Sequence, residues 1–210
     1  MLPWFLVTGI ALVILLIAEA KGLRWLKWIA KPTASTGFLA VALTAGALDS
    51  TYGRVLFAAL VFCWLGDVLL IPKDRRIFLA GLVAFLLGHV VLIGAFPLLG
   101  FDARGAVAAL VLVAPAAFLA LRWLGPHLSS VMRIPVHAYV AAISVMVLVA
   151  AGATLGGAGP LVLVGAVLFY VSDLAVARER FVAPAFSNRA WGLPLYYGAT
   201  LLLATTAAGV

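Results

Sequence analysis

Apolar runs of about one membrane thickness recur along this whole chain, broken only by short polar segments. No other feature narrows the fold as much. A bilayer-spanning helix takes ~20 residues, and reading the runs gives eight spans, near 2–20, 33–48, 54–72, 77–96, 105–123, 134–155, 160–177 and 191–209. The breaks carry turn chemistry, as in Asp49-Ser50-Thr51-Tyr52-Gly53, Pro72-Lys73-Asp74-Arg75-Arg76 and Gly156-Gly157-Ala158-Gly159-Pro160. A transmembrane β-barrel would alternate apolar and polar positions, and these runs do not. Of 210 residues, 66% are hydrophobic and 10% charged, with mean hydropathy +1.24. A soluble domain is about one-quarter charged and a disordered chain is charged and poor in apolar residues, so both are excluded. The expectation is an all-α polytopic membrane protein: one transmembrane domain, 1–210, of eight helices.

The basic residues test the segmentation. Lys21, Arg24, Lys27 and Lys31 follow span one, and Lys73, Arg75 and Arg76 follow span three. Arg122 and Arg133 flank the fifth connection, while Arg178, Arg180 and Arg189 follow span seven. Only Arg54 and Arg104 fall on the other side, and a missed span would scramble this asymmetry. The positive-inside rule makes the basic side cytoplasmic, with both termini outside, as in a bacterial cytoplasmic membrane. The net charge of +7 then reports orientation and calls for no nucleic-acid partner. Ala18-Glu19-Ala20 resembles a signal-peptidase site, but no basic segment precedes the apolar run, so the first span is expected to be retained. Cys63 is alone and excludes an internal disulfide.

The two halves look related. Val61-Phe62-Cys63-Trp64-Leu65-Gly66-Asp67 aligns with Val167-Leu168-Phe169-Tyr170-Val171-Ser172-Asp173, and Lys31-Pro32 aligns with Ile134-Pro135. Four spans plus four keep both halves in one orientation, the geometry of a parallel repeat. It puts Asp67 and Asp173 at one depth, facing each other across an axis.

Intramembrane ionisable residues are functional candidates by default, because a carboxylate at mid-bilayer costs at least ~2.5 kcal/mol. Glu19, Asp67 and Asp173 lie in the final thirds of spans running toward the basic side. Lys31, His137, Tyr139, Tyr196 and Tyr197 lie near the starts of returning spans, so polar groups converge at that end. Glu19 is expected at the interface, paired with Lys21, and Tyr52, Trp25 and Trp28 in the aromatic belt. His89 lies deeper, about 18 Å from its helix start, either bonded to a neighbouring helix or part of a site. His137 and Tyr139 point to different sides of one helix. Asp67 and Asp173, without a matching intramembrane cation, form an acid pair suited to catalysis. The three histidines lie in separate elements without metal-ligand spacing, and no phosphate loop, nucleophile elbow or dinucleotide fingerprint is present. No metal and no cofactor are expected.

Gly66-Asp67-Val68-Leu69-Leu70, followed by Phe78-x-x-Gly81-x-x-x-Phe85-x-x-x-His89, is similar to the central signature of the YhhN-type lysoplasmalogenases. The resemblance continues through Pro135-Val136-x-Ala138-Tyr139, Ser172-Asp173, Arg180-Phe181 and Tyr196-Tyr197, with Lys31-Pro32 opening span two. It implies an eight-span hydrolase that cleaves the vinyl-ether bond of a lysophospholipid in the membrane, with Asp67 and Asp173 as catalytic groups. Lys31, His89, Tyr139, Tyr170, Ser172, Arg180, Tyr196 and Tyr197 are then the expected substrate contacts, Arg180 and Lys31 holding phosphate. His89-x-x-Leu92 and Thr200 depart from the family's usual tyrosine and amide. Two carboxyl groups suit this chemistry, because protonation at carbon leaves an oxocarbenium ion like the one glycosidases stabilise with an acid pair. Two other classes use intramembrane acids: an aspartyl protease, suggested by Leu65-Gly66-Asp67, and a proton-coupled transporter using Asp67, Asp173 and His89. Oligomeric state is not set by the sequence.

Overall fold

The computed structural model describes residues 1–72 and 74–208; Lys73 and Gly209, counted above in a basic connection and in the last span, lie outside the described residues. Among the described residues the chain forms eight α-helices and no strand: α1 (Leu2–Lys21), α2 (Arg24–Thr44), α3 (Thr51–Leu69), α4 (Arg75–Ala95), α5 (Ala103–Leu124), α6 (Ser130–Leu155), α7 (Pro160–Ala177) and α8 (Phe186–Thr205). A wide π-type turn, Arg178–Val182, continues α7. Six helices, all but α2 and α8, are long and apolar enough to cross a membrane, and the protein is an integral membrane protein. At 21 and 20 residues α2 and α8 match the others in length; they carry Lys27, Lys31, Ser35, Asn188 and Arg189, which lowers their apolarity.

Prolines account for the largest boundary differences. Span two was expected from 33, but α2 begins at Arg24 with Pro32 inside it. A mid-helix proline removes one backbone hydrogen bond, and here a side chain bridges the turn: Thr33 Oγ1 donates to the Ile29 carbonyl (2.8 Å), while Ser35 Oγ lies 3.0 Å from that of Lys31. In the same way α6 starts at Ser130 with Pro135 inside, and α8 at Phe186 with Pro194 inside. Side-chain caps fix three other helix starts. Ser50 accepts from Gly53 N, Asp74 from Arg76 N and Ile77 N, and Asp102 from Arg104 N.

Consecutive helices pack as hairpins, α1 on α2, α3 on α4, α5 on α6 and α7 on α8. Between hairpins, α2 touches α3 and α8, while α6 touches α7 and α4. Each half thus presents its second helix to its own third helix and to the last helix of the other half, the neighbour set of a parallel repeat. Without water to drive helix association inside a bilayer, close packing has to supply it, and small residues permit that. A Cβ on Gly66 would lie 2.5 Å from the Phe85 ring, and one on Gly192 would lie 2.4 Å from the Ala175 Cβ. These contacts draw α3 against α4 and α7 against α8 beside the two aspartates. Trp25 and Trp28 are exposed, as belt residues should be. Tyr52 is not one: it is buried, its hydroxyl 2.6 Å from Thr206 Oγ1 in the turn that follows α8.

Candidate active site

A cavity of about 580 Å³ enters the bundle from the end where the basic connections lie. Asp67 lines it from α3, Asp173 with Tyr170 and Ser172 from α7, Lys31 from α2, Phe85 from α4, Tyr139 from α6 and Tyr196 from α8. Both aspartates therefore face one space, in the final turns of their helices.

Their surroundings differ. The Asp67 side chain is 2% exposed and is held by three donors. Lys31 Nζ lies 3.1 Å from Oδ1, while Ser35 Oγ (2.5 Å) and Tyr196 Oη (2.7 Å) donate to Oδ2. Tyr197 stands behind, its hydroxyl 3.3 Å from Ser35 Oγ and 3.4 Å from the Lys31 carbonyl. This corrects two sequence expectations. An intramembrane cation is present, and Lys31 is not at the edge of a loop but two turns inside α2, next to a carboxylate. In the sequence Pro32 looks like the start of a span; because it lies inside α2, Lys31 and Ser35 stand one turn apart on the same helix face.

Asp173 has a 15% exposed side chain and no lysine or arginine within ion-pairing distance among the described residues. Tyr139 Oη donates to Oδ2 (2.8 Å), and His89 Nε2 lies 3.5 Å from the same oxygen. The His89 ring is fully buried, packed edge-on against Phe169 and Tyr139 with centroids 4.7 and 5.2 Å away. Neither of its nitrogens has a hydrogen-bond partner among the described residues, so it is not tied to a neighbouring helix. His137 and Tyr139 point apart as expected, the His137 ring bonding the Arg133 carbonyl at the surface (2.6 Å).

The other expected contacts divide. Tyr170 lines the cavity with a buried hydroxyl that has no partner among the described residues. Ser172 lines it too, with its hydroxyl turned back to the Phe169 carbonyl (2.7 Å). Arg180 stands at the rim, its guanidinium 4.0 Å from the centre of the Phe78 ring. His89 and Tyr197 sit one layer behind the wall. Glu19 does not pair with Lys21. Its Oε2 meets Lys27 Nζ (2.5 Å) and Arg189 Nη1 (3.2 Å), and the residue lines the cavity. Trp64 donates to Thr36 Oγ1 (3.1 Å), which leaves the aromatic lining beside Asp67 to Tyr196 and Phe85. Sequence reasoning missed Ser35, Lys27, Glu179, Asn188 and Arg189 as site residues. Those at the connections were counted only as topology charges or loop positions.

The fold and cavity define a class, polytopic helical membrane proteins with a buried carboxyl pair reached from one side. Residues 26–207 match the model of the YhhN family, and the chain belongs to that family. It is 38% identical over 179 residues to a lysoplasmalogenase of Mycobacterium bovis (strain ATCC BAA-935 / AF2122/97), covering 80% of this chain and 66% of that protein. It is 34% identical over 162 residues to the lysoplasmalogenase TMEM86A of Homo sapiens, covering 72% and 64%. With the human lysoplasmalogenase TMEM86B it shares 31% over 172 residues, covering 81% and 69%. The chain thus spans slightly less than two-thirds of the mycobacterial relative's length. No solved structure matches it.

Proposed function

We propose that this protein is a lysoplasmalogenase, a membrane hydrolase that cleaves the vinyl-ether bond of 1-alkenyl-glycerophospholipids. The observation that carries this reading is the pair of aspartates on one lipid-sized cavity with unlike partners. Cleavage begins with proton transfer to the β-carbon of the alkenyl chain, whose π electrons form the new C–H bond and leave an oxocarbenium ion. Water adds to the carbon bonded to the ether oxygen, where the positive charge lies, and loses a proton. The hemiacetal then collapses to a fatty aldehyde and glycerophospho-ethanolamine or -choline.

The partners divide the labour. A buried carboxylate without a counter-charge is costly, so Asp173, beside a phenol and an imidazole, enters as the neutral acid and donates the proton. Asp67, compensated by Lys31, is the standing carboxylate that steadies the oxocarbenium ion and accepts the proton of the attacking water. As the hemiacetal collapses, its hydroxyl proton returns to Asp173 and Asp67 passes the proton it took from water to the departing glycerol oxygen, which restores both groups. Tyr170, Phe85 and Tyr196 supply the apolar wall for the alkenyl chain. The cavity opens to the cytoplasmic leaflet of a bacterial inner membrane, both termini lying outside, in accord with the basic asymmetry. Cysteine labels at Met1 and Val210, in a Cys63→Ser background, react from outside intact cells on this reading. Labelling only after permeabilisation reverses the orientation.

The deciding experiment is incubation of purified protein with a lysoplasmalogen and its saturated alkyl-ether analogue, with an aldehyde assay. The saturated ether has no π electrons to take a proton, so it binds and survives while the vinyl ether is cleaved. Cleavage of neither compound refutes the reading.

A further inference from the structure

The chain has seven acidic residues, and their distribution is uneven. Asp49, Asp74 and Asp102 lie in connections, the last two capping helices. The other four, Glu19, Asp67, Asp173 and Glu179, all line the one cavity. Two of these are the aspartates at the reacting end. The two glutamates stand at the mouth, and the positive-inside rule, which concerns lysine and arginine, does not account for them.

Arg189 bridges the glutamates, its Nη1 3.2 Å from Glu19 Oε2 and its Nη2 2.5 Å from Glu179 Oε1. Lys27 closes the Glu19 side at 2.5 Å, and Asn188 Nδ2 steadies Glu179 Oε2 at 2.8 Å. This side of the rim therefore alternates in sign from α2 through α1 and α8 to the turn after α7, where Arg180 stands beyond Glu179 over the Phe78 ring, and all of these charged groups belong to the cavity wall. We propose that this Lys27–Glu19–Arg189–Glu179 rim is the subsite for a zwitterionic phosphodiester–ammonium headgroup. The proposal rests on the lysophospholipid reading above and extends it to what selects the substrate.

The physical argument is one of exchange. Entering phosphate competes for Arg189 and Lys27, and each cation it draws off uncovers a carboxylate in a partly dehydrated mouth. A headgroup that also carries an ammonium covers that carboxylate, so every ion pair broken is replaced. A phosphate monoester without the ammonium brings only negative charge toward two glutamates and leaves them uncompensated. The rim thus favours ammonium-bearing headgroups by penalising anionic ones, a discrimination made as much by repulsion as by attraction. It also sets direction, with the headgroup at the basic end and the alkenyl chain reaching inward past the aspartates.

The test compares 1-alkenyl-glycerophosphoethanolamine with 1-alkenyl-glycero-3-phosphate of equal chain length, on the purified full chain and on Glu19→Gln. The parent is expected to favour the ethanolamine substrate by about tenfold or more in kcat/KM, with the difference mainly in KM, as for loss of binding shared by ground and transition states. In Glu19→Gln that ratio falls toward one. Thermal shifts with the two saturated ether analogues give the same comparison without turnover: unequal in the parent, equalised in the variant. If Glu19→Gln does not fold, Glu179→Gln probes the other end of the Arg189 bridge. Equal kcat/KM for both substrates in the parent, or a ratio unmoved in the folded variants, overturns the headgroup subsite and leaves the hydrolase reading standing. Unequal thermal shifts without aldehyde from either substrate overturn the hydrolase reading and leave the subsite standing.

Discussion

Asp67 and Asp173 occupy equivalent positions in two similarly packed halves, yet one is surrounded by compensating charge and hydrogen bonds and the other is nearly bare. The second helix of each half supplies the main donors: Lys31 and Ser35 from α2 for Asp67, Tyr139 from α6 for Asp173. The final helix of the opposite half adds a further donor to Asp67, Tyr196 from α8, and places the His89 ring of α4 3.5 Å from Asp173 without a hydrogen bond. The backbone plan is shared, and the side chains hung on it are not. Similar packing of the two halves can therefore bring two acids to one cavity, while side chains at unmatched positions give them different surroundings. On the proposed mechanism one is the fixed negative charge and the other the proton carrier.

The largest effect expected from disturbing this division is on rate. Loss of one acid–base catalyst costs ~10²–10⁴-fold, so Asp67→Asn and Asp173→Asn each bring aldehyde release near background. A folded variant of either kind working at the parent rate breaks the comparison at its root. The two variants differ in a second measurement. Asp67→Asn strands Lys31 and lowers stability to denaturant in detergent, whereas Asp173→Asn, with no cation to strand, stays close to the parent.

Lys31→Met sharpens the same point from the other partner. Breaking a buried ion pair costs ~3–5 kcal/mol because a bare charge is left behind, and the low end applies here since Lys31 opens onto the cavity. Adding Asp67→Asn to Lys31→Met restores most of that stability and none of the activity. A double variant no more stable than Lys31→Met alone would mean that the pair contributes little.

The smallest effect separates the two tyrosines. A hydrogen bond to a charged group contributes ~1.5–3 kcal/mol and a neutral one ~0.5–1.5 kcal/mol. Tyr196→Phe, which removes a donor from the paired Asp67, is therefore expected to destabilise more than Tyr139→Phe, which removes one from Asp173, neutral on the proposed mechanism. Equal losses, measured by the same unfolding assay, would place the two carboxyl groups in the same charge state.

Much of the site was legible in one dimension for a simple reason: a bilayer makes buried charge expensive, so few ionisable residues are available to misread. Asp67 and Asp173 stood out on that ground, and topology carried both to the basic end. Lys31 was legible as a residue but not in position, because Pro32 looks like the beginning of a helix and Lys31 like part of a loop, whereas it stands inside α2 beside Asp67. The rim was harder. Arg189 and Lys27 fit the orientation rule so well that nothing marked them further, and Glu179 lies in a short charged stretch with no periodicity to assign it a face.

The sequence by itself determined the helical class, the number of helices and the end of the bundle at which polar groups gather, since hydrocarbon thickness, backbone hydrogen bonding and loop charge act on local segments. Only the tertiary structure decided which donor meets which carboxylate, that Glu19 belongs with Arg189 and not with Lys21, and that His89 stands bare beside Asp173. Those facts depend on helix rotation and on approaches a few ångströms wide between helices far apart in the chain. Polar spacing along a single helix carries no record of them.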